Sequence, residues 1–71
     1  MTYFVIAYCQ NLEGAFNSLI TTYDDEITAR TNMYSQLSDI ISSEEYLSAI
    51  VQVANLNGQI IYEVSWPDII N

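Results

Sequence analysis

Lysine and histidine are absent from this chain, and Arg30 is its only basic side chain. Binding nucleic-acid phosphates requires Lys and Arg to displace counterions, so direct binding of DNA or RNA is excluded. Cysteine is nearly as scarce. Cys9 alone cannot form an internal disulfide, which excludes a disulfide-stapled secreted mini-protein and fits a reducing cytoplasm. One thiol and no imidazole cannot assemble a zinc site, and with no base to activate it Cys9 reads as a packed thiol at a strand end. Long hydrophobic runs are missing too. The apolar stretch over residues 3–9 falls far short of the ~20 residues a membrane-spanning helix needs, and no basic segment of a signal peptide precedes it. Residues 68–71 form a short tail that is not a prenylation box, so no membrane segment or lipid anchor is expected.

What is abundant is negative charge. Nine carboxylates face that single arginine, for a formal net charge of -8. Most acidic proteins still mix signs to limit self-repulsion, and this one gives up that option almost completely, so its natural partner is a basic surface. The chain has 71 residues, enough for one domain that buries only roughly 60% of its unfolded surface. Yet 51% of the residues are apolar and six are tyrosines, more than so small a core needs, which predicts that a second copy or another protein covers part of the surface, with a homodimer as the default.

Residues 24–41 are the only long segment with a clean helical period. Ala29, Met33, Leu37 and Ile40 fall on one stripe, widened by Ile27, Tyr34 and Ile41. Thr22 with Asp25 three residues later resembles a capping box at its start. At its end, residues 42–45 read as a frayed terminus or as a new turn capped by Ser42. Residues 2–9 are β-branched and aromatic with both alternating sets apolar, which predicts a strand in the middle of a sheet. Residues 10–14 supply a turn through Gly14. Residues 15–23 suit either a helix face or a strand; the β-prone Ile20-Thr21-Thr22-Tyr23 run leading into the helix cap favours a strand, with Phe16, Ser18, Ile20 and Thr22 on one face. Residues 46–54 and 59–66 flank Asn55-Leu56-Asn57-Gly58, the strongest hairpin signal in the chain, and Pro67 ends the last strand. The expected fold is therefore α+β, a single domain over residues 1–71 in the order β-β-α-β-β. One helix packs on one face of a four-stranded, mainly antiparallel sheet. The other face carries tyrosines, isoleucines and valines that a homodimer would cover.

No constellation supports an enzyme or a cofactor. Asp24, Asp25 and Glu26 point in different directions on a helix and suit its positive end, and no EF-hand spacing is present. Arg30 lies four residues after Glu26, the spacing of an intrahelical ion pair. Trp66, Tyr62 and Tyr46 serve equally well as core or as interface aromatics. Asp39, Glu44 and Glu45 are more informative, because they gather where the helix dipole is already negative and no cation lies near in sequence. Local stability does not account for them, whereas imitation of nucleic-acid phosphates does.

In size, carboxylate excess, tyrosine-rich strands and single cysteine, the chain resembles the small acidic inhibitors that bacteriophages direct at host proteins. These include DNA mimics acting on nucleoid proteins, nucleases, RNA polymerase, sliding clamps or CRISPR effectors. The resemblance is one of composition and implies a non-enzymatic inhibitor in the host cytoplasm that occupies a basic nucleic-acid-binding surface. The contributors expected from the residues are Asp24, Asp25, Glu26, Asp39, Glu44 and Glu45, with Tyr34 as an anchor. Gln36-Leu37-Ser38-Asp39-Ile40 is also similar to the start of the peptides that dock on bacterial sliding clamps, departing at Asp39 where those carry an apolar residue. The alternative is a small self-assembling scaffold whose acids serve only solubility.

Overall fold

The computed structural model describes residues 1–67; the tail expected at residues 68–71 lies outside them. Four strands and one helix follow in the order expected: β1 (Tyr3–Asn11), β2 (Phe16–Tyr23), α1 (Glu26–Ser43), β3 (Tyr46–Ala54) and β4 (Ile60–Trp66). Every neighbouring pair is antiparallel, and the spatial order is β2-β1-β3-β4. Of residues 15–23, Phe16–Tyr23 are thus a strand, and β1 lies inside the sheet as its two apolar alternations require. β2 and β3 sit on opposite sides of β1 and run parallel to each other, so α1 must cross over β1 to connect them. That crossover fixes which face the helix covers.

Both hairpins use one device. Asn11-Leu12-Glu13-Gly14 and Asn55-Leu56-Asn57-Gly58 each begin with an asparagine whose carbonyl accepts the glycine N–H at 3.0 Å. Each asparagine Oδ1 also accepts two backbone N–H groups at 3.0 Å, from Glu13 and Ala15 in the first turn and from Asn57 and Gln59 in the second. The glycines take φ of 89° and 80°, a conformation that β-carbon sterics make costly for other residues.

Alternation along the central strands builds the core. Val5 and Ala7 of β1 and Ala49, Val51 and Val53 of β3 meet Ala29, Met33 and Leu37 of α1, all buried. Tyr3, Cys9, Tyr23, Ile40, Ile41, Tyr62, Val64 and Trp66 close its margins half-buried, so Tyr62 and Trp66 are core-flanking side chains. Ile27 and Tyr34 do not widen the stripe as expected; they are 64% and 55% exposed. At about 100° per residue both lie roughly 100–120° around the helix from Met33, beyond reach of the sheet. The face away from the helix also differs from expectation. Its valines have gone to the core, and Phe4, Ile6, Tyr8, Phe16, Ile20 and Ile50 share it with about as many polar side chains, including Gln52 hydrogen-bonded to Glu63 at 2.6 Å.

The helix ends correct one further expectation and decide between two alternatives left open. Its N-cap is Asp25, whose carboxylate accepts the Thr28 N–H at 2.8 Å and the Thr28 hydroxyl at 2.9 Å. Thr22 instead pairs with Phe4 in the β1–β2 ladder, so it is held extended and the cap falls further along the chain. At the other end the helix continues to Ser43 without a restart, and Glu44 closes it in the left-handed region at φ 58°.

Candidate acidic interaction surface

The 18 residues of α1 span about 27 Å at 1.5 Å per residue, which separates the expected acids into two groups. Asp24, Asp25 and Glu26 sit at the helix N-terminus. Asp39, Glu44 and Glu45 belong to its C-terminal end, and every carboxylate among the described residues is exposed. The structure therefore presents two patches at opposite ends of the domain rather than one row.

The N-terminal group is tied up in structure. Asp25 is the cap, and the Thr28 backbone N–H followed by its hydroxyl holds the carboxyl below its usual range. Glu26 accepts the Tyr62 hydroxyl at 3.0 Å, while the Arg30 guanidinium lies 5.3 Å from the centroid of the same ring. The Glu26–Arg30 ion pair expected from their spacing gives way to this arrangement, in which both side chains engage Tyr62 of β4.

The C-terminal group gains a member. The Leu12 N–H of the β1–β2 turn donates to the Glu45 carbonyl at 3.1 Å, which brings Glu13 beside Glu45. Glu13 and Glu45 line one shallow depression with Asn11, Leu12, Asn17 and Tyr46. Asn17 and Tyr46 also line the adjoining groove, where Asp39 and Gln36 of α1 face Leu19 of β2. Tyr46 is thus shared by two depressions, one lined by Glu13 and Glu45 and the other by Asp39, and Glu44 is the chain neighbour of Glu45. Arg30 is remote from this end, roughly 21 Å along the helix axis from Glu44. Sequence spacing gave no sign of Glu13, since its neighbours are reached only through the turn-to-turn hydrogen bond. Tyr34 is not part of the group, because it lies on the opposite flank of α1 from Asp39.

Cys9 lines the groove beside Asp39, and burial pushes its thiol up, away from the reactive thiolate. Leu37 is 7% exposed within the helix, so the Gln36–Ile40 stretch is not an extended peptide free to dock. Among the described residues no cluster of ligating side chains fits a metal ion, and no helix is long and apolar enough to cross a membrane. Comparison with protein-family models, curated proteins and solved structures yields no match for this chain.

Proposed function

We propose that this protein is a non-enzymatic inhibitor that occupies the basic nucleic-acid-binding surface of another protein, presenting carboxylates where that surface receives phosphates. The observation that carries this reading is the gathering of Glu13, Asp39, Glu44 and Glu45 at one end of the domain. Among the described residues, no basic side chain of the helix's last turn offsets that gathering. The acids add to the negative end of the helix dipole, and Glu44 does so from a left-handed backbone conformation. Charges held against local stability are suited to a partner that supplies the missing cations. Tyr46, which lines both depressions, offers an aromatic contact of the kind enriched at binding sites.

The test is capture from nuclease-treated bacterial lysate on immobilised protein, eluted with rising salt. A basic nucleic-acid-binding protein should be retained, released at moderate salt and displaced by added duplex DNA. A variant carrying Glu13→Lys, Asp39→Lys, Glu44→Lys and Glu45→Lys, shown by circular dichroism to be folded, should retain none of it. Retention unchanged by that reversal, or a folded wild-type bait holding nothing that DNA displaces, would leave the acids as solubility devices and favour a self-assembling scaffold.

A further inference from the structure

We propose that β2 is the seam of a homodimer, in which two copies join their sheets edge to edge into one antiparallel sheet of eight strands. The inference does not rest on the occlusion reading above.

β2 is an edge strand with none of the usual guards. Its eight residues, Phe16–Tyr23, include no charge and no proline, and its pairing with β1 runs without a bulge. The opposite edge differs: β4 carries Glu63, its register with β3 shifts at Val53/Ala54, and Tyr62, Val64 and Trp66 lean on the core beneath the helix. The helix reaches β2 less than any other strand, which leaves residues 16–20 exposed on both faces as well as along the edge. Phe16, Leu19 and Ile20 are 77%, 63% and 61% exposed.

The backbone direction follows from the hairpin. Asn11 N–H donates to the Ala15 carbonyl at 2.9 Å, so 11/15 is a hydrogen-bonded pair, and antiparallel alternation makes 9/17, 7/19, 5/21 and 3/23 the next ones. Phe16, Ser18, Ile20 and Thr22 must then direct their N–H and C=O groups away from β1, toward the open edge. A two-fold axis perpendicular to the sheet at Leu19 sets Ser18 against Ile20 and Phe16 against Thr22 of the partner subunit. Each outward donor meets an outward acceptor, giving eight new hydrogen bonds. Leu19 faces its own copy at a position where side chains approach most closely, beside the groove formed with Gln36, Asp39 and Ile40.

The uncharged strand suits a second copy as the occupant, because pairing β2 with β2 brings no like charges together within the ladder. Two chains at -8 repel wherever carboxylates meet, and residues 14–23 form an exposed stretch without any. In this register Glu13 approaches Asp25 at the two ends of the seam, and the Asp39 side chains of the two copies flank its middle from the helix side. A seam about 23 Å long buries on the order of 600 Å² in total, the range of weak, reversible association. Both helices then lie on one side of the joined sheet. Because the two copies share one sign of charge, added salt strengthens the dimer, the opposite of its effect on binding to a basic partner.

Sedimentation equilibrium across the micromolar range, at low and high salt, tests this. The wild-type chain should show a reversible monomer–dimer equilibrium that tightens with salt. Ser18→Pro deletes an outward N–H without touching the β1 ladder, and removing two hydrogen bonds from the dimer should weaken it by about tenfold or more. Leu19→Glu sets two carboxylates face to face at the axis and should weaken it at least as much, which keeps the test decisive if the proline variant misfolds. Ile50→Lys, on the sheet face remote from the edge, should leave dimerisation intact. A wild type that stays monomeric, a dimer that survives both β2 changes, or one lost through Ile50→Lys alone would each overturn the proposal.

Discussion

Replacing Glu44 by glycine should stabilise this domain, and the gain can be divided into two parts with different salt dependence. Glu44 closes α1 at φ 58°, where an L side chain crowds its own backbone at a cost of roughly 1–2 kcal/mol. Glycine removes that strain but adds freedom to the unfolded chain, returning about 0.4–1 kcal/mol, so the conformational gain is about 0.5–1 kcal/mol. The carboxylate also stands at the negative end of the helix dipole, with no basic residue in the last turn. Removing it contributes a further ~0.3–1 kcal/mol at low ionic strength. Glu44→Gly should therefore raise stability by about 0.8–2 kcal/mol, at roughly 4–8 °C in melting temperature per kcal/mol for a domain of this size. Glu44→Gln isolates the charge, and its smaller gain should shrink with salt while the difference between the two variants stays constant. Urea unfolding followed by circular dichroism at low and high salt reads both parts. A Glu44→Gly variant no more stable than Glu44→Gln would refute the strain argument, and a salt-insensitive Glu44→Gln would refute the dipole argument. Under the proposed function both variants should also bind the basic partner less tightly, the trade expected when a binding residue opposes folding.

Two other perturbations test the framework. Met33 is fully buried between helix and sheet, so Met33→Ala should cost about 2–5 kcal/mol of a total near 4–11 kcal/mol, whereas Tyr34→Ala should change stability by less than about 0.5 kcal/mol. Comparable losses in the two urea midpoints would contradict the assigned helix phase. Asp25 has its carboxyl held below the usual range, so the folded state binds its proton less readily than the unfolded chain does. Its contribution is complete above the ordinary carboxylate range and fades as pH falls through the lowered value. Asp25→Asn should keep a cap while flattening the dependence of stability on pH in that acid window, and an unchanged slope would show that the carboxylate is not held by Thr28.

Much of the fold was legible because it is written in local rules. The Asn57-Gly58 pair announced its hairpin, two apolar alternations placed β1 inside the sheet, and the 29-33-37 spacing gave the buried face of α1. The misreadings share a cause, which is competition between a local option and a tertiary one. Thr22 has the chemistry of a cap, but pairing with β1 keeps it extended and passes the role to Asp25. Glu26 and Arg30 have ion-pair spacing, but Tyr62 arrives beside them from β4 and engages both. Of the candidate site, Asp39, Glu44 and Glu45 were evident from their place at the helix end, while Glu13 was not.

By itself, then, the sequence determined the elements, their order, the apolar face of the helix and the preponderance of negative charge, because period, turn chemistry and composition act over a few neighbouring residues. Only the tertiary structure decided how those charges are distributed and where the surface is open. The crossover of α1 over β1 separates its acidic ends and leaves β2 uncovered. The hydrogen bond between two distant turns, Leu12 to Glu45, brings Glu13 to the C-terminal group. These outcomes depend on which strands become neighbours, and strand order follows from the packing of the whole chain.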